Sequence, residues 1–526
     1  MNTVRKIQVI LICLLWPAFV FAGQLQGAKV FGYALPTIYK KSTQFSLTAA
    51  TTQIPIASYN DKYDYAHFSI TKGQLKLSIT LFDEVIVDYN ISPKKYNIKG
   101  EVNGKTLTFS LSNAQYLIVK INKKRELIIA IDQHQVVQPK STGSGVFNVA
   151  VDYQADQSGK ILTTGAIQKA IDAASNFKNG TVYIPAGVYL IGNLELKSNM
   201  SLYMEPGAVF LFSGKAEDYT VNAKKVSQNR NITWWIYTKS GARNIKIYGA
   251  GTLDGNGKIA TEKGKIGNHI LAIMGAENFV MDGLIIRNSG AWAVLPIRSK
   301  NVKLLNFKLF NRFDMGENDG VDVIESENVL VKHAIGIALD DPFSTKTWQQ
   351  DTDLCRNWPG VPLAQKNVVF DDCISWTYCY GFKIGQGVMQ PQINITFKNC
   401  VVYDAAVGIG IHHKWGTSYV KNVFFDNIDI EKLSFQNDDH RTWAVFLMQN
   451  GDKLGSGPIT KVLVSNILVR DAGRSPVKIK GASDKNSVEQ ITFKNIMMPN
   501  QTLPAESLSE MKITDMLFAK NIKIKP

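Results

Sequence analysis

The chain has 526 residues, 45% of them hydrophobic and 20% charged, with 59 Lys and Arg against 44 Asp and Glu, a formal charge of +15. This composition excludes a disordered chain and a collagen-like repeat, and the lack of any long uncharged apolar run beyond the N-terminus excludes a multi-span membrane protein. The basic surplus is dispersed, with no cluster of the kind that tracks a phosphate backbone, so no nucleic-acid partner is expected.

Arg5 and Lys6 precede an apolar stretch from Ile7 to Phe21, and Val20-Phe21-Ala22 ends in the small residue that signal peptidase needs. Residues 1–22 therefore read as a signal peptide, too short between polar flanks to anchor in a bilayer. The mature chain, of charge +13, is expected to be secreted or periplasmic, without a membrane span, and monomeric. Cys13 leaves with the signal, and Cys355, Cys373, Cys379 and Cys400 remain. Four thiols in so long a chain make no disulfide scaffold, and no CxxC or Cys/His spacing suggests a metal.

Residues 23–138 alternate short β-rich runs with turn residues, as in His67-Phe68-Ser69-Ile70, Leu75-Lys76-Leu77-Ser78-Ile79 and Tyr116-Leu117-Ile118-Val119-Lys120-Ile121. This spacing predicts a β-sandwich. It carries no paired carboxylates or histidine cluster, so its expected role is structural or carbohydrate-contacting. The polar residues 139–145 read as a linker.

From residue 146 to 526 one helical signal appears, Thr164 to Ala174, with Ile167, Ala170, Ile171 and Ala174 at helical spacing. Short strands follow in a repeat of an asparagine, alternating residues and a small or polar residue, as in Asn278-Phe279-Val280-Met281-Asp282-Gly283 and Asn301-Val302-Lys303-Leu304-Leu305-Asn306. The repeat returns at Asn328, Asn367, Asn394 and Asn422. Taking Gly283, Asn306, His333, Cys373, Cys400 and Asn427 as equivalent gives intervals of 23, 27, 40, 27 and 27 residues, one of which holds an insertion. Such a period built from strands and turns means stacked coils that share a core. The expected fold class is all-β, an N-terminal β-sandwich followed by a right-handed parallel β-helix. Cys373 over Cys400 reads as a ladder of small buried residues, with a disulfide as the alternative, and His333 as a packed histidine.

Asp319-Gly320-Val321-Asp322 and Asp340-Asp341 fall one coil apart, which brings several carboxylates onto one strand face. Like charges that close raise at least one pKa, so one acid keeps its proton while another stays ionised. That is the equipment for hydrolysing a glycosidic bond with a general acid and a water-activating base. The alternative readings are plain Asp-Gly and Asp-Asp turns, or a calcium site.

Three stretches carry a family resemblance: Ala166-Ile167-Gln168-Lys169-Ala170-Ile171-Asp172, Asn179-Gly180-Thr181-Val182-Tyr183-Ile184-Pro185-Ala186-Gly187, and Gly249-Ala250-Gly251-Thr252-Leu253-Asp254-Gly255-Asn256-Gly257. They resemble the polygalacturonase-like parallel β-helix glycosidases, over roughly residues 146 to 500; related dextranases and isopullulanases place a β-sandwich first. The resemblance implies an inverting hydrolase of α-linked polysaccharide that needs no cofactor, with Asp340 as general acid, Asp319 and Asp341 positioning and deprotonating water, and Asp322 in support.

Two departures bear on the substrate. Tyr380 stands where polygalacturonases have the histidine of Gly-His-Gly, and Gly410-Ile411-His412 stands where they have Arg-Ile-Lys. Lys383, one coil from Gly410, restores a cation, and His413 and Lys414 are adjacent in sequence. With no arginine fork for a uronate carboxylate, a neutral glycan and a uronate held differently both remain open. The insertion between His333 and Cys373 contributes Lys346, Trp348, Trp358 and Pro359. Its tryptophans, and Trp292, Trp376 and Trp415, either stack on sugars or pin loops to the core. Two rival functions stay open: a polysaccharide lyase on the same solenoid, and a non-catalytic glycan-binding solenoid.

Overall fold

The computed structural model describes residues 27–135, 138–437 and 440–525; the expected signal peptide lies outside them. The N-terminal region forms two facing sheets, one of seven strands and one of five. Alternation along Leu75–Leu81 turns Leu75, Leu77, Ile79 and Leu81 inward, where they pack with Phe45, Leu107, Phe68 and Ile129. One pair of strands is parallel, Tyr63–Ile70 with Glu126–Gln133, as is the isolated bridge Gly27–Gln74, and the other strand pairs described in this region are antiparallel.

The remainder is a parallel β-helix whose coils supply strands to a 21-stranded and a 12-stranded sheet. Its first strand, Val146–Asn148, pairs with Thr181–Ile184. The helix Thr164–Ser175 closes this end by turning Ile167, Ala170, Ile171 and Ala174 into the shared core, as the sequence spacing predicts. Without that cover the first coil would leave its apolar interior open to water.

The asparagine repeat is a continuous ladder. Asn244, Asn278, Asn301, Asn328, Asn367, Asn394 and Asn422 each donate from Nδ2 to the Oδ1 of the preceding asparagine at 2.8–3.2 Å. All seven lie in the left-handed region, with φ between 55 and 59°. Asparagine tolerates that backbone at the bend of each coil while its amide satisfies its neighbours.

Two of the assumed equivalences are off by one residue. Lys332 pairs with Asp371, so His333 meets Asp372, at 2.7 Å, and not Cys373. Asn427 meets Asn399 at 2.8 Å, not Cys400. Cys373 does stack on Cys400, and both are free thiols, which removes the disulfide alternative. His333 is half-buried against Tyr116 of the sandwich.

The sandwich is docked along one flank of the solenoid through Tyr63, Tyr65, Ile285, Phe310, Ile335 and Trp376. Buried charges lie in the same interface: Arg287 reaches Asp254 at 3.1 Å and Tyr65 Oη at 2.7 Å, and Lys308 pairs with Asp132.

Candidate active site

The acids sit where strands of the 12-stranded sheet begin. Val321 pairs with Phe343 and Asp322 with Ser344, and the Gly320 N–H donates to the Asp341 carbonyl at 2.9 Å. Asp319 is therefore level with Asp341, not with Asp340. The next coil brings Lys383 beside Ser344, and the one after brings Gly410 beside Lys383, with Ile384 level with Ile411. Asp322, Ser344, Lys383 and Gly410 thus form one file, about 4.8 Å apart from coil to coil.

Two lysines organise the carboxylates. Lys346 Nζ lies 2.9 Å from Asp319 Oδ2 and 3.0 Å from Asp322 Oδ1, and Ser344 donates its hydroxyl to the same Asp322 oxygen. Lys383 Nζ donates to Asp341 Oδ2 at 2.5 Å. Burial pushes the Asp319 and Asp322 carboxyls up, opposed by the Lys346 charge, and the two carboxylates hold Lys346 firmly protonated. Lys383 is likewise held protonated, by Asp341 and Asp340. The free oxygens, Asp319 Oδ1 and Asp322 Oδ2, are buried without a hydrogen-bond partner. Such atoms are costly to leave bare, and a water or sugar hydroxyl would satisfy them.

Asp340 differs from its neighbours. Among the described residues it forms no ion pair; its Oδ1 accepts the Asp341 N–H at 3.0 Å. Its own N–H and that of Leu339 donate to Asn318 Oδ1 at 3.3 and 3.0 Å, and Thr377 Oγ1 donates to its carbonyl at 2.6 Å. Burial, then the neighbouring Asp341 charge, raises its carboxyl to about 6.

The remaining expected residues divide. Tyr380 is half-buried beside Lys383, whose Nζ lies 4.8 Å from the ring centre, and its backbone N–H donates to Asp341 Oδ1 at 3.2 Å. His412 shares a hydrogen bond between Nε2 and Gln449 Oε1 at 2.8 Å, and burial lowers its imidazole to about 4. Trp348 is half-buried, edge-on to Trp292 and Trp415. Lys414 lies over the Trp415 ring at 4.5 Å. His413 is a correction: it is fully buried, its Nε2 bonded to the Gly416 carbonyl at 2.8 Å, so it presents nothing to a ligand. Trp376 is buried in the sandwich interface and Trp358, within the insertion, in the cluster with Leu354, both pinning structure. Trp292 is buried too, beneath Lys346, whose Nζ is 4.1 Å from its ring centre.

Sequence reasoning missed Asn318, Ser344, Cys379 and Gln449. Asn318 directly precedes Asp319 and was legible there; Cys379 arrives only because the insertion-bearing coil closes beside Asp340. Cys379, Asp340 and Asp341 each offer one donor atom within 4.8 Å of the others. The set does not suit calcium, which takes six to eight oxygens, because one donor is a thiol that burial keeps protonated and Lys383 already occupies Asp341.

From Cys379, whose thiol lies beside the Asp340 carboxyl, a cleft of about 390 Å³ runs toward the C-terminal coils, lined by Tyr380, Val407, His412, Val445, Gln449 and Lys478.

Residues 174–438 match the sequence profile of Glycosyl hydrolases family 28. An exo-poly-alpha-D-galacturonosidase of Dickeya chrysanthemi is 28% identical over 267 residues, which is 40% of this chain but only 44% of that enzyme's length. An endo-polygalacturonase of Pectobacterium parmentieri is 23% identical over 411 residues, 75% of this chain and 90% of that enzyme. In fold, the family 28 exopolygalacturonase of Yersinia enterocolitica superposes with a TM-score of 0.51 at 17% identity, covering 86% of this chain and 97% of that one.

Proposed function

We propose, from the premise that the chain belongs to Glycosyl hydrolases family 28, that it hydrolyses α-linked polysaccharide with inversion at Asp319, Asp340 and Asp341. The observation that carries this reading is the contrast between adjacent acids: Lys383 pairs with Asp341, while Asp340, with no ion pair of its own among the described residues, is raised to about 6 and retains a proton for the leaving oxygen. A carboxyl that keeps its proton beside one tied to a lysine is what a general acid next to a water-activating group requires.

In this mechanism a sugar linkage lies over Asp340, which protonates the departing oxygen. Water positioned between Asp319 and Asp341 loses its proton to Asp341 and attacks the anomeric carbon from the opposite face. The bare Asp319 Oδ1 is the natural seat for that water. Lys346 fixes Asp319 and Asp322, and Lys383 fixes Asp341. Tyr380, Lys383, His412, Lys414, Lys346 and Trp348 are the substrate-contacting set, and His413 is withdrawn from it. We take residues 1–22 as a signal peptide that exports the protein, residues 23–138 as the sandwich domain, 139–145 as a linker and 146–526 as the catalytic β-helix.

The test is release of reducing ends from polygalacturonate, rhamnogalacturonan, dextran and pullulan, with the anomeric configuration of the product followed by NMR. Asp340→Asn should lower turnover by about 10³-fold, the scale of general acid catalysis, with the melting temperature unchanged. Retained activity in this variant, or a product absorbing as an unsaturated sugar, would overturn the reading.

A further inference from the structure

The sheet face that carries the acids is open on one side and plugged on the other. The file of Asp322, Ser344 and Lys383 continues backwards into Leu295 and Ala272, since Val294 pairs with Val321 and Ala272 with Leu295. Leu295 and Ala272 are both 0% exposed. They are not covered by the solenoid's own core. They belong to a separate buried cluster with Met274, Ile297, Leu354 and Trp358, so the insertion after Thr347 packs into the floor that a polysaccharide would need.

The plug is fastened from both sides. Asp353 accepts the Val226 N–H at 2.8 Å and pairs with Lys225 at 3.4 Å, and Asn357 donates to the Asn222 carbonyl at 2.7 Å. From below, Arg298 pairs with Glu325 at 2.7 Å and donates to the Pro359 and Gly360 carbonyls at 2.9 and 2.8 Å. Buried, hydrogen-bonded segments of this kind do not swing aside at little cost. In the opposite direction the same file passes through Gly410 and Val445 to Lys478, along the open cleft.

We propose that this protein cleaves its polysaccharide from a chain end, with the terminal sugar held against the plug beside Trp348 and the rest of the chain running along the cleft toward Lys478. Each coil advances the sheet by about 4.8 Å, the length of roughly one sugar unit, and the plugged floor begins at the coil immediately before Asp322. The space on the closed side therefore admits one short segment, and every cut releases a product of the same small size. This inference rests on the hydrolase reading above, where family membership leaves the mode open.

The experiment follows product length and solution viscosity together as the full chain digests polygalacturonate, rhamnogalacturonan, dextran and pullulan. A single short product from the first time point, with viscosity falling slowly for each bond broken, is the expected result. The double variant Asp353→Ala/Asn357→Ala loosens the plug without touching the buried Leu354 and Trp358, and should add longer oligomers and steepen the viscosity loss. Reducing ends released as a ladder of lengths by the parent protein would overturn the chain-end inference while leaving the hydrolase reading intact. No reducing ends from any polymer would overturn both.

Discussion

Lys383 donates to Asp341 at 2.5 Å, while Asp340, the preceding residue, has no cation of its own among the described residues. One lysine from the next coil thus ties down Asp341, while burial and the Asp341 charge raise the Asp340 carboxyl to about 6.

The pH dependence follows from this pair. With the Asp340 carboxyl at about 6, the acid form is lost as pH rises, so kcat/KM should fall about tenfold per pH unit above that point. Lys383 lowers the Asp340 pKa by its charge. Lys383→Met should move the alkaline limb upward by about one unit while reducing the maximal rate, because Asp341 then loses its partner. A limb that stays in place in a stopped pH-rate series would separate Asp340 from the observed titration.

At the domain interface, Asp132 accepts from Lys308, from Tyr116 Oη at 2.7 Å and bonds His67 Nε2 at 2.7 Å. Lys308 is 0% exposed. Asp132→Asn leaves that ammonium buried without its counter-charge and should cost about 3–5 kcal/mol in urea unfolding. Adding Lys308→Met should recover most of the loss, a coupling that a double-mutant cycle reads directly.

Glu431 is 5% exposed and accepts the Lys94 N–H of the sandwich at 2.6 Å. Burial, its largest influence, raises its carboxyl from 4.5 to about 7. A carboxyl raised on folding contributes stability that is present in full below the unfolded value and lost as pH rises through the folded one. Glu431→Gln should therefore match the parent near pH 4 and exceed its stability by up to about 3 kcal/mol at pH 8. Melting curves at the two pH values check the sign.

In the asparagine ladder, Asn328 donates to Asn301 at 3.1 Å and accepts from Asn367 at 3.0 Å, at φ 57°. Asn328→Ala loses both bonds and keeps a strained backbone, for about 2 kcal/mol in all. Asn328→Gly loses the bonds alone and should be the milder variant by about 1 kcal/mol. Equal melting temperatures for the two would remove the backbone argument.

The amino-acid sequence by itself determined the coil, the capping helix and the acidic face. Each asparagine bend and each alternating run states its role locally, and stacking only repeats it, so the periodic residues from Asn278 to Asn422 and the pairing of Asp-Gly with Asp-Asp were legible without coordinates. Tertiary structure alone decided the register across the insertion, which sets His333 against Asp372, and the register before it, which sets Asp319 level with Asp341. It also decided which lysine meets which carboxylate, the burial of His413, and the joining of Leu295, Leu354 and Trp358 in one buried cluster. The physical reason is that a loop's length does not disclose where its turns close. A shift of one residue between stacked strands exchanges every partner, and partners set proton affinity and access.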